Sequence, residues 1–144
     1  TQQPTLFPYT TLFRSVMIFP LVDADGKIRS FRARNINQNA GLKTAVPLGY
    51  AVAGLVLANK QAREMFRNKE DTSQKVVVVE GEMDLLSACA LIHGAAVVGI
   101  FSGGFSEGHA RELAKHDLER EIDPDVAGLK YYQKISSLIR KARS

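Results

Sequence analysis

The sequence predicts an α/β fold: a parallel sheet flanked by helices, preceded by a small basic β-hairpin segment. Three observations carry this. Val76-Val77-Val78-Val79 is a run of four β-branched residues, the pattern of a strand buried on both faces. From residue 75 onward strand-like and helix-like stretches alternate, which calls for parallel strands joined by right-handed crossovers. Before residue 70 the pattern is instead two apolar or alternating runs around Asp23-Ala24-Asp25-Gly26, a turn sequence.

Residues 1–15, TQQPTLFPYTTLFRS, have neither an amphipathic period nor a signal-peptide layout. PTLFPYTTLFRS looks like translated sequencing-adapter read-through. The segment is therefore read as a non-native leader, loosely packed, with the native chain beginning further upstream. Val16–Val22 is an apolar run and residues 27–36 alternate, together an antiparallel hairpin. Arg32 and Arg34 fall on one face of its second strand. Residues 37–50 are loop-like. Ala51–Ala58 is apolar and fits either a strand or a buried turn. From Asn59 a helix is expected, with Ala62, Met65 and Phe66 spaced i, i+3 and i+4. The polar stretch 68–74 marks the boundary between a basic β-rich segment, 16–70, and an α/β domain, 71–144. The second unit reads as strand 75–79, helix 82–93, strand 95–101, a helix capped by Ser106 and running to about residue 115, strand 118–122 and helix 126–142.

Composition narrows the class. With 45% apolar and 24% charged residues the chain is ordinary for a globular domain. No apolar run approaches the ~20 residues of a membrane span. The single cysteine, Cys89, excludes an internal disulfide and a multi-cysteine zinc site; it fits a reducing compartment and sits in an apolar helical pattern. Residues 16–70 hold 9 Lys/Arg against 4 Asp/Glu, whereas residues 71–144 hold 9 against 11. A basic front beside an acidic back suits a nucleic-acid surface next to a metal centre, although ordinary surface charge reads the same way.

The acids stand where ligands bind in open α/β sheets, at the carboxyl ends of strands. Glu80 ends the valine strand, and Asp84 follows in the first turn of the next helix. Ile122-Asp123-Pro124-Asp125 ends a later strand. If those strands are parallel neighbours, Glu80, Asp84, Asp123 and Asp125 converge, and ionised carboxylates that close repel one another. Bound Mg²⁺ or Mn²⁺ relieves that repulsion, since hard cations take oxygen ligands and keep waters for phosphate groups. Phosphoryl chemistry is the activity such a site supports. Taken singly, each acid also reads as a helix cap or a solvated turn residue.

Here VVVVEGEMD at 76–84 and DPDVAG at 123–128 resemble the Toprim domain, shared by DnaG-type primases, type IA and II topoisomerases, OLD-family nucleases and RecR proteins. IFPLVDADGKIRSFRARN resembles the basic hairpin that precedes Toprim in DnaG-type and mobile-element primases. Lys43-Thr44 and GLVLANKQAREMF resemble the segment joining the two. The resemblance covers roughly residues 16–143. It implies a cytoplasmic, Mg²⁺-dependent nucleotidyltransferase that makes RNA primers from nucleoside triphosphates on a single-stranded DNA template. It implies Glu80 as catalytic acid/base or metal-linked carboxylate, Asp123 and Asp125 as Mg²⁺ ligands, and Asp84 in support. It further implies Arg32, Arg34 and Lys43 as contacts to template or nucleotide phosphates. A replicative helicase would be engaged through domains this stretch lacks. A Toprim nuclease and a non-catalytic nucleic-acid-binding fragment are the alternatives.

Three features depart from the family pattern. The chain stops after one helix, so the 71–144 domain is expected to be truncated at the C-terminus, short of a closing strand and any further acidic motif. Glu82 stands where relatives often carry an aromatic or apolar residue, and reads as a first-turn charge favoured by the helix dipole. Leu118-Glu119-Arg120-Glu121-Ile122 is far more charged than a central buried strand. An edge position, a sequencing error or a damaged site would each account for it. Weaker signals are Gly103-Gly104, read as a strand-to-helix turn, and His93, His109 and His116, read as surface or capping residues. Phe31 and Tyr131-Tyr132 lack the spacing of a base-stacking platform and are read as core.

Overall fold

A computed structural model of the chain describes residues 16–36, 43–101, 104–121 and 126–144. The expected leader at 1–15 lies outside the described residues, as do Gly103, Asp123 and Asp125.

The hairpin forms as expected. Strand β1 (Val16–Val22) pairs antiparallel with β2 (Ile28–Asn35), with Phe19 opposite Arg32 and Met17 opposite Arg34. The Asp23 carboxylate closes the turn by accepting the Asp25 and Lys27 backbone N–H groups at 2.9 and 3.0 Å. Gly26 takes the positive φ (72°) that the turn requires. Within the stretch read as loop, Thr44–Ala45 forms a two-residue strand, β3, beside β2. The ambiguous apolar stretch resolves into a short strand, β4 (Val56–Ala58). Helix α1 (Lys60–Arg67) buries Ala62, Met65 and Phe66, the expected stripe. Its cap, Asn59, also locks α1 to the sheet. Oδ1 accepts from the Ala62 and Val97 N–H groups, and Nδ2 donates to the Ala95 carbonyl.

The α/β unit follows as β5 (Lys75–Glu80), α2 (Gly81–Leu91), β6 (Ala96–Ile100), α3 (Glu107–Leu113), β7 (Asp117–Glu121) and α4 (Val126–Arg143). The described strands make one seven-stranded mixed sheet in the order β3-β2-β1-β4-β6-β5-β7. Only β6-β5-β7 is parallel, and β4 pairs antiparallel with both β1 and β6. The basic hairpin segment therefore continues the same sheet through β4.

Strand β5 lies between β6 and β7: the chain crosses from β5 to β6 and then back, from β6 past β5 to β7. Right-handed crossovers in opposite directions place their helices on opposite faces. Accordingly α2 packs alone on one face, where Leu85 and Ala88 meet Phe19, Leu57, Val77, Val79 and Val97. Helices α1, α3 and α4 cover the other, with Phe66, Leu113, Ile135 and Ile139 against Val56, Val76, Val78 and Val98. All four valines of β5 are at most 1% exposed. At about 1.5–3 kcal/mol per fully buried side chain, they are the densest source of stability in the sheet. The charged strand β7 sits at the sheet edge, and Lys75 Nζ meets Glu119 Oε2 at 2.6 Å. An edge position thus accounts for its composition.

Helix α3 starts where expected, at Ser106, in a reciprocal capping box. His109 is nevertheless fully buried, a capping residue and not a surface one. The Ser106 backbone N–H donates to His109 Nδ1 (3.2 Å), so Nε2 carries the proton and faces the Val22 carbonyl at 3.3 Å. His116 is also buried, while His93 is exposed. Burial pushes the His109 pKa below its ordinary 6.5, against the opposing pull of the Val22 carbonyl. Among the described residues, no helix is long and apolar enough to cross a membrane.

Two expected outcomes follow from this packing. A Cβ added at Gly99 would sit 2.9 Å from Leu57 Cβ and 3.2 Å from Leu85 Cδ1, wedging α2 off the sheet. Gly99→Ala should cost about 1–3 kcal/mol in urea denaturation; an unchanged midpoint would show that α2 does not pack this closely. For His109, the folded chain binds fewer protons than the unfolded chain just below pH 6.5, so stability rises with pH there. Its contribution is complete above about pH 6.5 and is lost as the pH falls below it. Asp71 acts elsewhere, since the Ser73 backbone N–H and hydroxyl hold its pKa near about 2. The melting temperature should therefore fall between about pH 7 and pH 5.5, more steeply in the wild type than in His109→Gln. Equal slopes in the two proteins would refute the assignment.

Candidate active site

The valine strand ends at Glu80, in register with Ile100 of β6, and Glu80 is also the residue that precedes α2. Its backbone is still extended (φ −102°, ψ 115°). Gly81 turns the chain with a φ of 80°, a conformation costing about 1–2 kcal/mol for a residue with a Cβ. Nothing lies within 4 Å of a Cβ placed there, so the demand on Gly81 is conformational and not steric. The elbow delivers Glu80 to the sheet edge between two neighbours whose following helices leave to the opposite face. Such a reversal opens a crevice at strand ends. Glu80 is half-buried there, with Oε2 closed off from solvent.

Asp84 follows at i+4 and is exposed. Glu80 and Asp84 thus share one side of the first turn of α2. Glu82 belongs to the other side. It lies at i−3 from Leu85 and i−6 from Ala88, on the stripe that faces the sheet, and is 2% exposed. The expectation of a solvated first-turn charge is therefore corrected: Glu82 is a buried carboxylate.

Two cations from β2 pair with it. Arg32 Nε pairs with Glu82 Oε1, and Arg34 Nη1 meets Oε2 at 3.2 Å. The Arg32 guanidinium also lies over the Phe101 ring, 4.7 Å from its centroid, and its Nη2 donates to Thr44 Oγ1 at 3.4 Å. The two arginines share a face of β2, as expected, and that face is the one α2 covers. Lys43 is exposed beside the end of β2, its carbonyl accepting the Asn35 N–H at 2.9 Å. The structure thus brings Arg32 and Arg34 to the first turn of α2, two residues from Glu80.

Asp123 and Asp125 lie outside the described residues. Strand β7 reaches Glu121 opposite Val79, one position short of Glu80, and α4 begins at Val126. Among the described residues, no three His, Cys, Asp or Glu side chains gather as a metal cluster. Gly104 spends its N–H on the Phe101 carbonyl at 2.9 Å, the turn role expected of it. The roles of Glu82 and Phe101 escaped sequence reasoning. For Glu82 a signal existed, since the Glu82-Leu85-Ala88 spacing places it on the buried stripe.

The fold resembles that of known proteins. The Toprim-like family model matches residues 77–144. The zinc-binding and RNA polymerase domains of the Aquifex aeolicus primase superpose with a TM-score of 0.63 at 23% identity, over 92% of this chain and 33% of that one. A DnaG primase catalytic domain bound to single-stranded DNA gives 0.59 at 20% identity, over 85% and 38%. A chain from the structure of bacteriophage T7 lagging-strand DNA polymerase with primase domains of two gp4 subunits, an RNA/DNA hybrid and dTTP gives 0.53 at 19%, over 86% and 60%. This chain thus spans about a third of the first two structures it matches. No curated protein matches it in sequence. Residues 77–144 are thus similar to Toprim-like domains, and the fold is shared with the catalytic domains of DnaG-type primases.

Proposed function

We propose that this chain is a nucleotidyl-transfer core of a DNA primase, joining nucleoside triphosphates into RNA primers on a single-stranded DNA template. The observation that carries the reading is the position of Glu80. It ends a strand whose four valines are at most 1% exposed, at a sheet reversal, and precedes the helix whose first turn carries Glu82 and its two arginines. The structures it resembles support the same direction: one primase domain is bound to single-stranded DNA, and another structure holds an RNA/DNA hybrid and dTTP.

The donor chemistry fits Mg²⁺ or Mn²⁺. Glu80 and Asp84, with Asp123 and Asp125, offer hard carboxylate oxygens and no thiolate or imidazole. These residues would hold the cation, which would neutralise charge developing on the transferred phosphoryl group. In this reading Glu80 would accept a proton from the attacking hydroxyl or fix the metal. Arg34 and Lys43 supply positive charge for template or nucleotide phosphates, and Arg32 supports them. A cytoplasmic setting and a helicase partner belong to the same proposal.

Template-directed incorporation of labelled nucleoside triphosphates on single-stranded DNA is the test. Incorporation should require Mg²⁺ or Mn²⁺ and disappear with chelator. Glu80→Gln should reduce it by about 10²-fold or more while leaving the melting temperature unchanged. Cleavage of labelled DNA without incorporation would replace the reading with a nuclease. Full activity in Glu80→Gln would remove Glu80 from the chemistry.

A further inference from the structure

We propose that Glu82 is a positioning residue that divides the arginine pair, consuming Arg32 as its structural counter-ion and leaving Arg34 as the cation that meets phosphate. The proposal deepens the nucleic-acid reading above and rests on it.

The two arginines are held unequally. Arg32 is fixed on three sides: its Nε on Glu82 Oε1, its Nη2 on Thr44 Oγ1 and its guanidinium plane over the Phe101 ring. Its side chain is 20% exposed. Among the described residues Arg34 makes one bond, Nη1 to Glu82 Oε2, and its side chain is 31% exposed. A guanidinium carries five N–H donors, so most of those on Arg34 remain for another acceptor.

Charge arithmetic points the same way. A buried carboxylate needs one cation, because an unpaired ion inside a fold is strongly destabilising. Arg32 satisfies that need. Arg34 is then surplus, and the triad carries a net charge of +1. Glu82 thereby holds a cation at the first turn of α2 without neutralising it. An apolar residue at position 82 would pack against the sheet equally well but would anchor neither arginine. This explains why an acid occupies a position on the buried stripe.

The asymmetry predicts opposite behaviour on substitution. Without Arg34, Glu82 remains neutralised and the fold is little disturbed. Without Arg32, Glu82 draws Arg34 inward as its replacement partner, and the surplus charge is lost. Removing Glu82 as well as Arg32 releases Arg34 again.

The experiment measures binding of a fluorescent single-stranded oligonucleotide to the full chain across a salt series, with the melting temperature of each variant. Arg34→Gln should reduce the slope of log K against log salt by about 0.7, one phosphate contact on a single strand. Its melting temperature should stay within about 2 °C of wild type. Arg34→Lys should keep the wild-type slope. Arg32→Gln should lower both the melting temperature and the slope, and the double variant Arg32→Gln/Glu82→Gln should recover the slope. An unchanged slope in Arg34→Gln, with salt-sensitive binding in the wild type, overturns this inference alone. So does a double variant that binds no better than Arg32→Gln. Wild-type binding that ignores salt overturns the nucleic-acid reading and this inference together. Should Arg32→Gln fail to fold, the comparison of Arg34→Gln with Arg34→Lys decides the matter alone.

Discussion

The structure depends on keeping one strand dry. Val76–Val79 are flanked by parallel neighbours on both edges and covered on both faces, by α2 on one and by α3 and α4 with α1 on the other. A strand so enclosed has little freedom to slip, because a one-residue shift would draw Lys75 or Glu80 into the apolar interior. Its end is therefore a fixed point. The residue placed there, Glu80, inherits the rigidity of the whole sheet without any contact of its own having to supply it. A catalytic carboxylate benefits from this, since small misplacements cost large factors in rate.

The same enclosure explains the buried ion triad. Once α2 lies flat on the sheet, its first turn must tuck a side chain between the helix and the hairpin strands. Position 82 is that place, and the sequence puts a carboxylate there. Arg32 and Arg34 then tie β2 to α2 across 48–50 residues of chain. The basic segment and the acidic segment, distinct in composition, are joined through one sheet and one set of charges. Replacing such a cluster with well-packed apolar residues is often neutral or stabilising, so stability alone is a poor reason for its presence. A role in holding a surplus cation at the first turn of α2 is a better one.

The legible features were those with a strong local period. The four valines, the α1 stripe of Ala62, Met65 and Phe66, the Asp23–Gly26 turn and the Ser106 cap all declare themselves within a few residues. Features set by long-range pairing did not. β3 and β4 are two and three residues long, too short for any period, and exist because β2, β1 and β6 offer them partners. The charged strand β7 was legible as a strand, with an edge position among three readings of its charge, and only the sheet order selects that one. His109 looked like a surface or capping residue, and only the fold reveals that the turn after β1 closes over its ring. At the site, Glu80 and Asp84 were legible from their place after the valine run. The pairing of Glu82 with Arg32 and Arg34 was not, since nothing local in either segment identifies its partner.

The central claim is that the carboxyl end of β5 holds a divalent cation. Paramagnetic broadening of backbone amide signals by substoichiometric Mn²⁺ tests it most directly. The account predicts broadening centred on residues 80–84 and on 122–126, removed by excess Mg²⁺ and absent when Glu80→Gln is combined with Asp123→Asn. Broadening centred elsewhere, or spread over the surface without a focus at Glu80, would contradict it.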